Sequence, residues 1–367
     1  MQSQNPKVLM IDTAPMLFDG ITAVMYNYIA NMNRNDVTID VVAINKLADK
    51  QRQQFLDIGC KVYELTNRSR NPIKYIQDLA GLIKKEKYDI AHIHCNSHTA
   101  AIDVFACWLG GCKVRITHSH NTKTAHAYIH KLLGPLFNLF TTDCFACGIE
   151  AGKWLHGNRK TTIWKNAINT DKFAFSSSAR EKIRRQYHLD GKVAVGHVAH
   201  FTPHKNHTFL IEMWKDVVKK NKNYVLFLIG DGRLKSGIEE KVKELNLQDN
   251  VVFTGMAFNV PEYLSAMDVM VLPSLYEGLP YVLIEWQDAG VPCLVADTVT
   301  PDCKLTEDVK FIPLDKELWM NEILACKPIL DRISESKLNQ VRIKEAGYSI
   351  KEQAAQLKQY YIEQLQR

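Results

Sequence analysis

Short runs of apolar, β-branched residues alternate along this chain with stretches in which apolar residues recur at helical spacing. Such alternation is typical of βαβ units, so it predicts an α/β fold with parallel sheets. In the first half, strands are expected at 7–12, 37–43, 89–94, 114–118 and 144–147, with helices at 21–32, 72–87 and 98–109. In the second half, strands are expected at 193–198, 224–229, 251–254, 269–272 and 293–296.

The length of 367 residues fits two domains better than one. A small, polar stretch at 173–178 is typical of a linker, so residues 1–173 and 174–345 are predicted to form two Rossmann-like domains. Residues 346–367 are predicted to form a C-terminal helix, because Ile350, Leu357 and Tyr361 recur at roughly helical spacing. Ligands bind at the carboxyl ends of parallel strands, so two facing sheets are expected to hold a ligand in the cleft between them.

Charge is distributed unevenly between the two halves. Residues 1–173 contain 21 Lys and Arg against 14 Asp and Glu, whereas the remainder contains 25 against 26. The basic half indicates an anionic partner such as a membrane surface or a lipid phosphate, although ordinary solubility explains the excess equally well. Nucleic acid fits less well, because the basic residues are scattered and no nucleic-acid motif accompanies them.

The hydropathy and the cysteines of the chain indicate a cytoplasmic location. No apolar run is long enough to span a bilayer, and the polar residues 1–7 do not resemble a secretory signal. The nine cysteines follow no repeating frame, and the pair Cys144 and Cys147 has no second pair to complete a zinc site. Buried, reduced thiols are therefore expected, as in a reducing cytosol.

The most informative motif is the segment from Ser274 to Glu285, which places two carboxylates on either side of a predicted helix start. Gly278 and Pro280 end the preceding strand, and proline suits the first turn of a helix. The N-terminus of that helix offers unpaired N–H groups to an anion such as a diphosphate. Glu285 can accept hydrogen bonds from the hydroxyls of a ribose, and Glu277 from a sugar beyond the phosphates. A capped surface helix with two solvated glutamates is the alternative explanation.

A second group of candidate residues, from Ala199 to His207, follows the first predicted strand of the second half. Lys205 lies where a helix is expected to begin, so its ammonium group can join the helix end in binding a diphosphate. A leaving diphosphate needs such fixed positive charge, above all without a metal ion. A solvated lysine is the alternative.

Two further turns follow strands in this half. The sequence Gly230-Asp231-Gly232 is expected to form a tight turn into a helix, with Asp231 near the cleft. The backbone around Gly255 and Met256 can pair with the edge of a base. The chain contains no Asp-x-Asp motif, which enzymes that clamp a sugar diphosphate through a divalent cation usually need, so no metal ion or other cofactor is expected.

In the first half, candidate residues follow two of the predicted strands. Gly20 precedes a helix, where backbone N–H groups can approach a phosphate, whereas Asp19 would repel a diphosphate unless it points away. An ordinary Asp-Gly turn is the alternative. His118 ends the strand at 114–118, and together with His120 and Asn121 it can donate to a sugar hydroxyl or a phosphate. A structural role for these histidines is equally expected.

Taken together, these motifs resemble those of the retaining glycosyltransferases of family 4, which have the GT-B fold, and in particular members that act in bacterial exopolysaccharide and capsule synthesis. The resemblance covers nearly the whole chain, and its most specific part is the E-x7-E element from Glu277 to Glu285. The other similar segments are Lys205-Asn206-His207, Gly230-Asp231-Gly232, Thr254-Gly255, 293–298, His118-Ser119-His120-Asn121, 147–152 and Asn166-Ala167-Ile168-Asn169.

The resemblance implies a role for each domain and for the matching residues. The first domain would bind the acceptor and the second the nucleotide sugar, and the C-terminal helix would cross back to the first domain. Glu285 would hold the ribose and Glu277 the donor sugar, while Lys205 would stabilise the leaving diphosphate. His118 would contact the donor sugar. The further residues implied in donor binding are Gly20, His200, Asp231, Gly255, Met256, Gly278 and Leu279, and those implied in acceptor binding are His120 and Asn121.

Three positions depart from the family pattern. Ala199-His200 stands where the family usually has Gly-Arg, so diphosphate binding is expected to be weaker or to fall as His200 loses its proton with rising pH. Asp19-Gly20 replaces a pair of glycines, which hinders close approach of that backbone to a phosphate. Asn166-Ala167 lacks the glycine of the domain junction.

The sequence therefore predicts a metal-independent, retaining hexosyltransferase that uses a UDP-sugar and a lipid-linked saccharide acceptor in surface polysaccharide synthesis. It would act at the inner face of a bacterial cell membrane, where residues 128–140 can lie in the interface, although a core helix is the favoured interpretation of their spacing. One alternative is a non-catalytic GT-B partner subunit, which Ala199-His200 and Asp19 favour. The other is a nucleotide-sugar epimerase of related fold, which the E-x7-E context disfavours.

Overall fold

A computed structural model describes residues 5–16, 20–66, 68–122, 127–257, 259–277 and 279–366. The chain divides into two compact units. The first contains the residues up to Ala167 and those from Gly347 onward, and the second contains Ile168–Ala346. The sequence pattern places these junctions at 173 and 345.

The first unit is built around a sheet of seven parallel strands in the order β3-β2-β1-β4-β5-β6-β7. Its strands are β1 (Lys7–Asp12), β2 (Thr38–Ala43), β3 (Val62–Glu64), β4 (Ile90–Cys95), β5 (Val114–Ser119), β6 (Asp143–Ala146) and β7 (Thr162–Ile163). Its helices are α1 (Gly20–Asn31), α2 (Asp49–Asp57), α3 (Pro72–Glu86), α4 (Ala101–Leu109), α5 (Ala127–Phe140), α6 (Ile149–His156) and α15 (Ile350–Gln364). The strand order reverses direction between β1 and β4.

The second unit contains a sheet of six parallel strands in the order β10-β9-β8-β11-β12-β13. Its strands are β8 (Val193–Val198), β9 (Tyr224–Ile229), β10 (Val251–Gly255), β11 (Val269–Leu272), β12 (Cys293–Ala296) and β13 (Val309–Ile312). Its helices are α7 (Thr170–Phe173), α8 (Ser177–Gln186), α9 (His207–Lys220), α10 (Lys235–Glu244), α11 (Val260–Ala266), α12 (Tyr281–Asp288), α13 (Lys316–Ala325) and α14 (Arg332–Glu345). The order reverses between β8 and β11.

These elements confirm the predicted fold of two Rossmann-like sheets. Every predicted strand is present, with bounds that differ by at most one residue. All six residues of β9 are buried, because a parallel strand that carries helices on both faces needs a continuous apolar run. The three strands that were not predicted, β3, β7 and β13, are short edge strands.

The prediction of a linker at 173–178 is wrong. Ser176 is the N-cap of α8, where its Oγ accepts a hydrogen bond from the backbone N–H of Ala179 at 3.2 Å. Ser177 and Ser178 form the first turn of that helix, and the ring of Phe175 lies 4.6 Å below the guanidinium of Arg332. The small polar residues therefore serve as a helix start.

The favoured interpretation of 128–140 as a core helix is also wrong. Only one narrow face of α5 is buried, and it consists of His130, Gly134 and Phe137. Its other faces expose large apolar side chains, namely Tyr128, Ile129, Leu132, Leu136 and Leu139. Within the described ranges, no helix combines the length and the apolar character that crossing a membrane requires.

The C-terminal helix α15 packs against the first unit. Tyr360 donates a hydrogen bond to Asp143 at 2.5 Å, and Lys358 forms an ion pair with Asp36 at 2.5 Å. The neighbouring Tyr361 is fully buried against β4. The helix is therefore an integral part of the first unit, although it follows the whole second unit in the chain.

Candidate active site

Lys205 and Glu277 follow the two strands at which the order of the second sheet reverses. Lys205 lies in the loop after β8, and Glu277 lies in the loop after β11. Because β8 and β11 are parallel neighbours, their carboxyl ends meet at the same edge of the sheet, which is the usual ligand-binding position in this kind of fold. The structure places Lys205 Nζ 2.5 Å from Glu277 Oε1, with only 15% and 12% of the two side chains exposed.

Two further hydrogen bonds hold these loops together. Asn206 takes a left-handed backbone conformation with φ of 59°, and its Nδ2 donates to the carbonyl of Pro273 at 3.1 Å. The backbone N–H of Leu275 donates to the carbonyl of His204 at 2.8 Å. Lys205 ends a short 3-10 turn and precedes α9, so it lies just before the helix instead of within its first turn.

The carboxylate of Glu277 is held by one of its oxygens. Oε1 accepts hydrogen bonds from Lys205 and from Ser274 Oγ, the latter at 2.8 Å. The carbonyl of Ser274 accepts in turn from Thr298 Oγ1 at 2.7 Å. Among the described residues, Oε2 of Glu277 accepts no hydrogen bond, so this oxygen can accept one from a ligand hydroxyl.

Glu285 lies one turn inside α12, as predicted, whereas Pro280 is the N-cap and not a residue of the first turn. The side chain of Glu285 is half-buried. Desolvation raises the pKa of this carboxyl to about 8, although the positive charge of Lys172 acts in the opposite direction. Asp288 is completely buried, and desolvation together with Asp171 and Glu285 raises its pKa to about 8. Leu279 is half-buried before the helix. Gly278 lies outside the described residues.

The loop after β9 packs directly on the loop after β8. A Cβ atom at Gly230 would lie 2.1 Å from the carbonyl oxygen of Ala199, and one at Gly232 would lie 2.8 Å from the backbone nitrogen of Phe201. Both glycines have positive φ values, of 146° and 153°. Only glycine allows the two backbones to approach so closely.

This contact places His200 beside Asp231. Nδ1 of the exposed His200 lies 3.2 Å from the carbonyl oxygen of Asp231, whose side chain accepts from the next backbone N–H at 2.7 Å. Gly255 accepts a hydrogen bond from the N–H of Gly230 at 3.0 Å, and the exposed Met256 follows it. The predicted residues of the second unit thus form one group around Lys205 and Glu277 and another around His200, Asp231 and Gly255.

In the first unit, four histidine rings form a two-layered stack at the carboxyl ends of β4 and β5. His92 Nε2 lies 3.1 Å from His118 Nδ1, and His94 Nδ1 lies 2.8 Å from His120 Nε2. The ring of His92 stacks on that of His94 with centroids 4.5 Å apart, and the ring of His118 stacks on that of His120 at 4.2 Å. The cluster therefore consists of two hydrogen-bonded imidazole pairs, one on top of the other.

Burial makes these imidazoles neutral. Desolvation, followed by the charges of neighbouring histidines, lowers the pKa values of His92, His94 and His118 well below the usual range. Desolvation also lowers the pKa of His120 to about 4, although the side chain of Asn166 acts in the opposite direction. In each hydrogen-bonded pair, one ring must consequently donate and the other accept.

His92, His94 and His118 offer ring nitrogens that lie within 4.8 Å of one another, a spacing that can hold a metal ion. The facing nitrogens of His92 and His118 already share a hydrogen bond, and His94 stacks on His92 with planes only 9° apart. A metal ion needs lone pairs that converge in the ring planes, and parallel stacked rings do not supply them. The arrangement fits hydrogen bonding between imidazoles better than coordination.

The sequence analysis missed His92, His94 and Tyr361. The two histidines alternate along β4, so their side chains lie on the same face of the sheet, and this spacing was a usable signal. Among the remaining predicted residues, Asn121 is exposed, and Gly20 is the first residue of α1. A Cβ atom at Gly20 would meet nothing within 4 Å, so packing does not require glycine there. Asp19 lies outside the described residues.

Comparison with known proteins agrees with this arrangement. Residues 179–310 match the family described as glycosyl transferases group 1, and residues 16–133 match the family described as glycosyl transferase 4-like. Glycosyltransferase EpsF of Bacillus subtilis is 30% identical over 315 residues, which cover 82% of this chain and 81% of that protein. The UDP-Gal:alpha-D-GlcNAc-diphosphoundecaprenol alpha-1,3-galactosyltransferase of Escherichia coli is 25% identical over 336 residues, with coverage of 84% and 85%.

Solved structures show the same fold. The crystal structure of Anabaena HepE in complex with UDP and glucose is similar with a TM-score of 0.77 at 17% identity, over 97% of this chain and 99% of that chain. One assignment follows from the two parallel sheets, the E-x7-E element and the extent of the match to EpsF. The chain belongs to the glycosyltransferases of the GT-B fold.

Proposed function

We propose that this glycosyltransferase moves a hexose or N-acetylhexosamine from a UDP-sugar to a lipid-linked saccharide in surface polysaccharide synthesis, with retention of configuration. The observation that carries the proposal is the pairing of Lys205 with Glu277 where the second sheet reverses its order. The E. coli relative acts with UDP-galactose on a diphosphoundecaprenol-linked sugar, and the HepE structure contains UDP and glucose. These relatives support the donor and the acceptor class.

In the proposed reaction, the bond between the anomeric carbon and the diphosphate oxygen breaks, and an acceptor oxygen bonds to that carbon on the same face. The acceptor proton passes to the departing phosphate oxygen, so no separate strong base is needed. Glu285 binds the ribose, Lys205 the diphosphate and Glu277 the sugar. His118 contacts the donor sugar, and His120 and Asn121 contribute to acceptor binding.

Lys205 supplies the positive charge that a divalent cation supplies in other transferases. Its Nζ is largely buried, where a fixed charge acts more strongly than in water. We expect the rate of transfer to be the same in a chelator and in added Mg²⁺ or Mn²⁺. A rate that falls at least tenfold after chelation and returns with a divalent cation would contradict metal independence.

The donor site is tested by calorimetric titration of UDP, with ADP and GDP as controls. UDP is expected to bind selectively, and Glu285→Ala to weaken it at least tenfold because the ribose hydroxyls lose their acceptor. The exposed Glu240 provides the matched control variant Glu240→Ala, which should bind as the wild type does. Absence of binding to any nucleotide would favour a non-catalytic GT-B partner.

Transfer is distinguished from epimerisation by the requirement for an acceptor. A transferase releases UDP from the donor in proportion to the lipid-linked saccharide supplied, and the sugar appears in the product. An epimerase instead changes the configuration of the sugar in the absence of any acceptor. Product analysis by mass spectrometry and NMR separates these outcomes and reports the anomeric configuration.

The exposed apolar side chains of α5 support contact with the inner membrane face. Tyr128, Leu132 and Leu139 are 79%, 64% and 73% exposed, and the basic excess of the N-terminal part attracts anionic lipid. We expect the protein to sediment with phosphatidylglycerol vesicles and only weakly with phosphatidylcholine vesicles. The double variant Leu132→Ser, Leu139→Ser should reduce sedimentation with phosphatidylglycerol severalfold. The control Leu330→Ser changes a fully exposed leucine of the second unit and should have no effect. Equal sedimentation of all three proteins would contradict this contact.

A further inference from the structure

The hydroxyl of Tyr361 joins the histidine stack from the C-terminal helix. Tyr361 Oη lies 2.6 Å from His92 Nδ1, in a fully buried position. Within the described ranges, His92 is the only hydrogen-bond partner of this hydroxyl. A buried hydroxyl proton without an acceptor is costly, so Tyr361 donates its proton to Nδ1 of His92. Burial raises the pKa of Tyr361 well above its usual range, and the hydroxyl therefore keeps its proton.

The direction of this first hydrogen bond determines the next one. A neutral imidazole that accepts at Nδ1 carries its proton on Nε2. His92 Nε2 faces His118 Nδ1 at 3.1 Å, so His92 donates to His118. His118, which then accepts at Nδ1, must carry its own proton on Nε2. Both hydrogen bonds therefore run in the same direction: Tyr361 donates to His92, and His92 donates to His118.

We propose that Tyr361, acting through His92, is a positioning residue that holds His118 in the tautomer with the proton on Nε2. Nε2 of His118 is buried and has no hydrogen-bond partner in the described part of the chain. The backbone carbonyl of Trp164 favours a proton on this ring. His118 consequently carries its N–H donor at Nε2, a buried atom that a sugar hydroxyl oxygen or a phosphate oxygen reaches only when the residues around it move.

The proposal rests on the proposed function only for the identity of the oxygen that this N–H meets. The tautomer itself follows from the buried hydrogen bonds and can be measured without any substrate. The second pair, His94 with His120, stacks on the first but makes no hydrogen bond to Tyr361. It therefore serves as an internal reference in the same spectrum.

The test is a long-range ¹⁵N–¹H NMR spectrum of the full-length protein labelled with ¹⁵N-histidine, in which protonated and unprotonated ring nitrogens have well-separated shifts. Signals of His118 are assigned by their loss in His118→Ala. We expect Nε2 of His118 to be protonated and Nδ1 to be unprotonated in the wild type. A proton on Nδ1 of His118 would overturn the proposal. So would a spectrum that changes when a chelator removes a bound metal ion from His92.

The matched variants are Tyr361→Phe and Tyr360→Phe. Both remove one tyrosine hydroxyl from α15, but Tyr360 donates to Asp143 and not to a histidine. Tyr361→Phe should shift His118 toward the other tautomer, because Nδ1 of His92 has lost its donor, whereas Tyr360→Phe should keep the wild-type pattern. An unchanged His118 in folded Tyr361→Phe would refute the relay.

A second measurement applies if Tyr361→Phe does not fold. A scalar coupling across the hydrogen bond between His92 Nε2 and His118 Nδ1 is expected in the wild type, with the proton on His92. Its absence, or a proton on His118 Nδ1, would contradict the proposal.

The consequence for catalysis is measured separately. Tyr361→Phe should lower kcat/KM roughly two- to tenfold, the effect of one neutral hydrogen bond, and leave UDP affinity unchanged. An unchanged kcat/KM together with an altered tautomer would overturn the contact with the sugar. If the wild type does not bind UDP, the proposed function fails, while the NMR result still decides the relay.

Discussion

Lys205 Nζ lies 2.5 Å from Glu277 Oε1, so the cation proposed to bind the diphosphate is paired with the carboxylate proposed to bind the sugar. Each residue limits the side-chain freedom of the other, and both are largely buried. A ligand that contacts both can therefore use a preformed site.

Removal of either partner should reduce turnover strongly. We expect Lys205→Met and Glu277→Gln each to lower kcat about 100-fold or more, because each leaves a buried charge unpaired and removes a ligand contact. The double variant should lose less than the product of the two single losses, since the pair acts as a unit. The control in initial-rate measurements is Lys235→Met. Lys235 forms a weaker ion pair, in which its Nζ lies 3.9 Å from Glu239 Oε1. Strictly multiplicative losses would show that the two residues act independently.

An arginine at position 200 should strengthen the donor site. His200 is exposed beside Asp231 and carries no permanent charge, whereas arginine stays protonated and can bind a phosphate with two hydrogen bonds. We expect His200→Arg to bind UDP severalfold more tightly and to raise the initial rate of transfer. Calorimetry and initial rates measure both. Equal UDP affinity of His200→Arg, His200→Ala and the wild type would rule out a phosphate contact at this position.

Asp288 should make the protein less stable as the pH rises. Its pKa is raised from 3.8 to about 8, so between these values the folded chain holds a proton that the unfolded chain has lost. Stability from the neutral carboxyl is therefore complete at low pH and decreases by up to about 1.4 kcal/mol per pH unit as the pH rises toward 8. The melting temperature of Asp288→Asn, relative to wild type, should rise between pH 5.5 and about 7.5. The exposed Asp190 provides the control Asp190→Asn, and parallel curves for all three proteins would argue against the shift.

Gly230 and Gly237 should respond oppositely to alanine. Gly230 has φ of 146°, and a Cβ there would lie 2.1 Å from the carbonyl oxygen of Ala199, so Gly230→Ala should cost at least about 2 kcal/mol of unfolding free energy. A Cβ at Gly237 in α10 would meet nothing within 4 Å, so Gly237→Ala should stabilise by about 0.5 kcal/mol or more. Urea denaturation of both variants tests this difference, and equal stabilities would contradict the close contact of the two loops.

Arg332 should be the most sensitive arginine of the second unit. It is buried and donates to the carbonyls of Leu264, Ser265, Met267 and Ala289. The carbonyls of Ser265 and Met267 also accept from Arg180, but Arg332→Met still removes four buried hydrogen bonds, so we expect a loss of roughly 3 kcal/mol or more. The exposed Arg185 in α8 provides the control Arg185→Met, which should change stability by less than about 0.5 kcal/mol. Similar losses in the two variants would show that the buried hydrogen bonds contribute little.

Most strands were predictable because they are short runs rich in apolar and β-branched residues between turn residues. β3 and β7 were missed because they contain only three and two residues, too few to show a period, whereas the missed β13 has four residues, as many as the predicted β11 and β12. The serines at 176–178 misled the analysis, because small polar residues occur both in linkers and at helix starts.

The sequence shows which candidate residues follow strands, but it does not show their contacts. Lys205 and Glu277 are 72 positions apart, and only the order of β8 and β11 brings them together. His92 and Tyr361 are 269 positions apart, and their hydrogen bond depends on where the last helix packs. Motif spacing identifies which side chains follow strands, whereas strand order and helix packing decide which of them meet.

The return of α15 to the first unit has a consequence for how the protein is made. A ribosome that has released residues up to 346 has already produced every described strand of both sheets, but not the helix that carries Tyr361. The hydroxyl partner of His92 is therefore synthesised only after the whole second unit. Domains generally fold in the order of their synthesis. Here the first unit, whose synthesis begins before that of the second unit, receives its last helix only after the second unit has been synthesised.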